Sequence, residues 1–127
     1  MSPLLILAAL TAGPAATEAP SAAMAQDALP AAVLRALDKF SGLTVDLSVP
    51  VGGAVRYGRL VVTVRACRVI DAGSDATAYV EIVDDKNPAA FAFAGWMVAS
   101  SPAVSALDHP RYDVWVLACS TAAAEPS

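Results

Sequence analysis

The sequence predicts a mainly β protein: a small antiparallel β-sandwich or half-open barrel of about six strands, with a short N-terminal helix and a one- to two-turn helix before the last strand. Three observations predict it. From Leu43 onward apolar residues recur with a period of two, the signature of strands with one wet face. Turn-forming clusters, "PVGG", "DAGSDA" and "DKNP", punctuate these runs at short intervals. No long helical repeat separates them, which disfavours parallel crossover units.

The elements follow in order. In "DALPAAVLRALDKFSG", Val33, Leu34, Leu37 and Phe40 fall near helical spacing, Pro30 suits a first turn and Gly42 a C-terminal stop. This predicts the N-terminal helix, which is too short to stand without docking its apolar stripe. Leu43, Val45, Leu47 and Val49 then alternate with Thr44, Asp46 and Ser48 as a first strand. A short second strand ends before Gly58, a residue expected at a tight bend, and a long third strand begins at Leu60 with Leu60, Val62, Val64 and Ala66 on one face. "AYVEIVD" reads as a fourth strand with Ala78, Val80 and Ile82 inward, "AFAFAGWMVAS" as a fifth, and "YDVWVLACS" as a sixth. The sixth is apolar on both faces, which predicts a central place. Between the last two strands, Ser101 before Pro102 reads as a helix cap followed by a first-turn proline, with Val104 and Leu107 on one face and Pro110 forbidding continuation.

Outside this region the chain changes character. Residues 4–10 are an apolar run far short of the roughly 20 needed to cross a bilayer, and Ala23 and Ala25 form an A-x-A site. Residues 1–25 therefore read as a signal peptide cleaved near Ala25, 26–122 as one β-rich domain and 123–127 as a tail. The expected destination is the periplasm or the exterior, with no transmembrane segment in the mature chain. Cys67 and Cys119 lie in strand-like runs, and in an oxidising compartment two such cysteines are most simply a disulfide.

Composition excludes several classes. A hydrophobic share of 57% against 16% charged argues against a disordered chain. Removing the leader leaves eleven acids against eight bases, which disfavours a nucleic-acid-binding surface. One histidine and scattered carboxylates make no metal shell, and "DAGSD" fails as a calcium loop because Ile82 stands where the bidentate glutamate belongs. No cofactor is expected. Arg56, Arg59, Arg65 and Arg68 read as a solvated edge before they read as an anion patch. Trp96 and Trp115, inside apolar strands, read as core before they read as sugar-stacking rings.

Catalytic residues can be drawn from one stretch, "ASSPAVSALDHPRYDVW" at 99–115. Ser100 or Ser101, His109 and Asp108 or Asp113 supply the residue types of nucleophile, base and orienting acid. Neither serine stands in a G-x-S-x-G elbow, and closeness in sequence does not align a triad. A structured strand-helix-strand connection explains the same residues more economically: His109, held extended by Pro110, can bond across the connection, and Asp113 can receive a backbone amide.

"GWMVASSPAVSALDHPRYDVWVLAC", with "YGRLVVTVRAC" and "LDK" before it, resembles the bacterial family catalogued as domain of unknown function 2155. The resemblance runs from Leu37 to Cys119. Carried over residue by residue, it marks Gly95, Trp96, Met97, Ser100, Ser101, Pro102, Asp108, His109, Pro110, Tyr112, Asp113, Trp115 and the two cysteines as signature positions and possible interaction residues. It implies an exported envelope protein and no activity. Three functions are then in play: a non-enzymatic binding or scaffolding module for an unknown envelope protein, a binder of a small glycan or lipid through Trp96 or Tyr112, and, most remotely, a serine hydrolase using Ser100 or Ser101, His109 and Asp113.

Overall fold

The computed structural model describes residues 28–103 and 105–121. The expected signal peptide (1–25) with its expected cleavage near Ala25, Val104 and the expected tail (123–127) lie outside the described residues. Eight strands follow one another: β1 (Ala31–Asp38), β2 (Leu43–Pro50), β3 (Ala54–Tyr57), β4 (Leu60–Ile70), β5 (Asp75–Asp84), β6 (Phe91–Val98), β7 (Leu107–Asp108) and β8 (Tyr112–Ser120). They form two antiparallel four-stranded sheets, ordered β2-β1-β8-β7 and β3-β4-β5-β6. The fold is mainly β and sandwich-like, with no closed barrel.

Both sheets contribute to one core. Leu34, Val49, Val114 and Val116 from the first sheet meet Leu60, Val62, Val64, Val80, Ile82 and Met97 from the second, all without solvent exposure. The inward faces expected for the β4 and β5 segments hold up to Val64. There a bulge opens at Arg65, so Ala66 turns outward and Cys67 takes the next inward position, 1% exposed. That one-residue slip matters, because it aims Cys67 across the sandwich at Cys119 of β8. The two form a disulfide with a Cα–Cα distance of 5.7 Å, joining one sheet to the other.

The expected N-terminal helix is instead β1, and it lies inside the first sheet. Its backbone pairs with β2 over its whole length and with β8 on the other edge. Ala32, Leu34 and Ala36 face the core, while Val33 and Leu37 are half-buried on the outer face. Apolar residues on both faces hide the period of two, and the backbone groups of β2 and β8 demand a strand between them.

Among the described residues, the connection before the last strand is a turn and not the expected helix. The segment makes a single turn, in which the Ser105 N–H and hydroxyl both donate to the Ser101 carbonyl at 3.2 and 3.0 Å, and then enters β7. Ser101 thus acts through its carbonyl rather than as a side-chain cap. Ser105 Oγ also accepts the Val98 N–H at 2.9 Å, which ties the turn to β6 instead of releasing it into a helix.

Candidate functional site

The nominated residues divide between the two ends of the sandwich. Ser100, just past β6, donates its hydroxyl to Asp75 at 2.6 Å and its N–H to the same carboxylate at 3.0 Å. These bonds hold the Asp75 carboxyl below its ordinary range, with the Ser100 hydroxyl the main cause. His109, in the β7–β8 turn, meets Asp84 with Nε2 at 2.7 Å. Asp75 and Asp84 are the first and last residues of β5, a strand of ten residues that spans about 30 Å. Ser100 and His109 are therefore held at opposite ends, far beyond the ~3 Å that proton transfer requires. Ser101, exposed in the same turn as Ser100, gains no imidazole either. The structure does not assemble the Ser–His–Asp constellation.

His109 is built as a clasp. Its Nδ1 accepts the Arg111 backbone N–H at 2.9 Å, so Nε2 carries the proton and donates it to Asp84 Oδ2. Neither nitrogen is free to take a proton from a substrate. Arg59 donates from Nε to both Asp84 oxygens at 2.9 and 3.1 Å, and its Nη2 lies 3.4 Å from the imidazole, held there by the carboxylate the two share. Asp84 also accepts the Lys86 N–H at 2.9 Å. That amide, then His109, then Arg59 lower its carboxyl to about 2. Arg59, expected on a solvated edge, is instead part of the clasp, and Asp84 is a partner that the sequence did not single out. Asp84 was legible as an Asx residue closing a strand before the turn that follows, whereas Arg59 only meets it through the pairing of β4 with β5.

The rest of the "DHPRYD" turn is fastened to the β1–β2 connection. Lys39 Nζ reaches Asp108 at 2.7 Å, Asp113 at 3.0 Å and the His109 carbonyl at 2.8 Å. Asp113 thus takes an ammonium rather than the backbone amide expected of it. Arg111 pairs with Asp38 at 3.0 Å and stacks on Phe40, while Pro110 stays exposed between His109 and Arg111. Tyr112 is 4% exposed and packs edge-on against Tyr57, its hydroxyl directly over Gly58.

The tryptophans correct the core expectation. Met97 is fully buried and Gly95 lies beside the Phe93 ring, but Trp96 points to the outer face of the second sheet and is 44% exposed. It meets Tyr79 edge-on, and the Arg68 guanidinium sits 5.4 Å from its ring centre. Arg56, Arg59 and Arg65 each have a carboxylate partner (Asp85, Asp84 and Glu81), so of the four clustered arginines Arg68 alone has none among the described residues. Trp115 is half-buried on the outer face of the first sheet, opposite Arg35.

Two shallow clefts flank β8. One, of about 410 Å³, is walled by Pro102, Ala103 and Ala106 on one side and by Asp113 and Trp115 on the other. The second, of about 390 Å³, lies between Ser100 and Asp75 and the β8 residues Leu117, Ala118 and Cys119. Among the described residues no cluster of three His, Cys, Asp or Glu side chains could hold a metal, and no helix is long and apolar enough to cross a membrane.

The model of a family described as an uncharacterized protein conserved in bacteria (DUF2155) matches residues 32–119. The chain belongs to this family. The matched span covers all eight strands but for the first residue of β1 and the last of β8, so the clasp, the disulfide and both clefts lie within the DUF2155 unit. No curated protein and no solved structure matches the chain.

Proposed function

We propose that this DUF2155 chain is an exported, non-enzymatic binding or scaffolding module of the bacterial envelope. One observation carries the reading: the side chains of Ser100, His109, Asp108 and Asp113, which carry the residue types of a hydrolase, are consumed by the fold. Ser100 is occupied by Asp75, His109 by Asp84 and Arg111, and Asp108 and Asp113 by Lys39. The inter-sheet disulfide supports an oxidising compartment, since such bonds persist there and are rare where thiols are kept reduced. The apolar run and A-x-A site of the leader support the same destination.

The test is in-cell photo-crosslinking, with the reactive group placed in turn at Leu43, Trp96 and Ser101, combined with fractionation and thiol trapping. The expected result is an oxidised, periplasmic protein giving a discrete adduct with an envelope protein from at least one position. A cytosolic, reduced protein, or no adduct from any position, overturns the reading.

A second reading is favoured by Trp96 alone. An exposed indole beside a guanidinium with no carboxylate partner among the described residues suits the face of a sugar ring carrying an anionic group. Tyr112 drops out of this version because it is buried. Titrating the protein with glucuronic acid while following tryptophan fluorescence tests it, and a response unchanged in Trp96→Phe removes it.

A further inference from the structure

We infer that the outer face of the second sheet, centred on Trp96 and Arg68, docks a partner protein whose apolar surface carries a carboxylate. The inference rests on the binding-module reading and names its surface and the chemistry of its partner. The sheet register builds this face. Phe91, Ala94, Trp96 and Val98 of β6 pair with alternate residues of β5, from Val83 to Thr77, and paired residues point to the same side. The intervening β5 residues, Ala78, Val80 and Ile82, fill the core, so β6 turns an apolar stripe outward. Phe91 is 56% exposed and Trp96 44%. Their partners on β5 are Val83 and Tyr79, which sets the two rings about 13 Å apart along the strand.

Charge says what covers the stripe. Arg68 pairs with Thr77 and so shares this face, with its guanidinium 5.4 Å from the Trp96 ring centre. Its Nε is buried and has no hydrogen-bond partner, and no carboxylate meets the guanidinium among the described residues. Arg56 and Arg65, on the same side, are already held by Asp85 and Glu81. A cation fixed over an indole, with exposed apolar side chains around it, has the composition of an interface hot spot. A carboxylate brought to Arg68 supplies the counter-charge that the fold does not.

The other exposed apolar patch lacks this selectivity. Phe40 and Leu43 stand out at the β1–β2 connection, but Arg111, the cation stacked on Phe40, is held by Asp38. Ala28, where the described chain begins, bridges Arg68 on the edge of β4 away from β5, while the guanidinium reaches the other way, to β6. The carboxylate is therefore assigned to a second protein. Beyond the indole N–H, the β6 stripe offers no side-chain group to hydrogen-bond sugar hydroxyls, which favours a protein surface over a glycan.

The experiment uses the oxidised full chain, ¹⁵N-labelled, and a capped eight-residue peptide in which phenylalanine and glutamate alternate at odd positions and serine fills the rest. Extended, it puts both kinds of side chain on one face. The control carries glutamine for glutamate. The glutamate peptide is expected to shift the Trp96 indole N–H, the Arg68 Nε–H and the amides of Tyr79 and Ala94, and to bind about fivefold more tightly than the control. Arg68→Gln removes a donor that has no acceptor, so it is expected to keep the parent's thermal midpoint while bringing the two peptides to equal affinity. Arg68→Lys, which keeps the charge, retains the preference for glutamate. In cells, a photo-reactive group at Ala94 is expected to give a protein adduct that Arg68→Gln diminishes about fivefold. Equal binding of both peptides to the parent, shifts centred on Phe40 and Leu43 or on β8, no shift at millimolar peptide, or a glutamate preference that emerges only in Asp27→Asn each overturn the inference. Tighter binding of glucuronic acid at the same amides gives the face to a sugar, and binding of phosphatidylglycerol vesicles that Trp96→Ala abolishes gives it to a lipid surface; either also overturns it. The binding-module reading fails separately. A cross-link formed only from Leu43 or Ser101 keeps the module and removes this face.

Discussion

Gly58 shows how a single backbone angle ties two distant segments together. It occupies the two-residue turn between β3 and β4 with φ at +58°, where a side chain is strained, and a Cβ there would collide with the Tyr112 hydroxyl. Gly58→Ala should destabilise the protein by about 2–4 kcal/mol, from strain plus the clash. In a Tyr112→Phe background the clash loses its nearest atom, so the same substitution should cost about 1 kcal/mol less, read from urea midpoints in a double-mutant cycle. Equal costs in both backgrounds would show that the turn alone needs the glycine. His109 has a comparable structural task. His109→Leu strands the Asp84 carboxylate without one donor and frees the Arg111 amide, and should cost about 2 kcal/mol. A variant as stable as the parent would mean that the clasp contributes nothing to folding. The sequence exposed part of this, since "HP" followed by an aspartate announces a fastened turn. It hid the partners, because Asp84 and Arg59 come to His109 only through sheet pairing.

At the scale of elements, the disulfide is the connection with the largest expected effect. It closes a loop of sequence separation 52 and links β4 to β8 across the core. The chain-entropy model gives about 4 kcal/mol for a loop of this length, so Cys67→Ala with Cys119→Ala should lower stability by that order. The matching check is the shift in thermal midpoint on reduction of the parent, and a shift of under one degree would contradict it. Six strands were legible because each carries the period-two pattern or an apolar run bounded by turn residues. β1 was not: Val33, Leu34 and Leu37 fall at helical spacing, and only pairing on both edges makes the segment a strand. β7 escaped because two residues are too few for any pattern. The Arg65 bulge was equally invisible, yet it decides that Cys67 rather than Ala66 faces Cys119.

Across the whole molecule, electrostatics pin the two ends of the sandwich and one side of the first sheet. Asp38 and Asp108 at the β1–β2 end, Asp46 on β2, Asp75 at the far end and Asp84 in the clasp all have carboxyls held below their ordinary 3.8, by Arg111, Lys39, Arg35, Ser100 and the Lys86 amide respectively. In every case the folded state favours the ionised form. Their contribution is therefore complete above about pH 4 and is lost as pH falls, for Asp84 through about 2. Protonating them also leaves the eight Lys and Arg charges uncompensated, adding self-repulsion. Urea midpoints should be level from pH 7 to 5 and then fall steeply between pH 4 and 2. Molar salt at pH 6 should weaken the exposed pairs, such as Arg35–Asp46, and spare the clasp, where Asp84 and His109 side chains are 12% and 8% exposed. Asp84→Asn separates the clasp from the rest: it lowers the midpoint at neutral pH and removes the portion of the acid transition nearest pH 2. A midpoint that stays level down to pH 2.5 in the parent would show that these carboxylates gain nothing from their partners on folding.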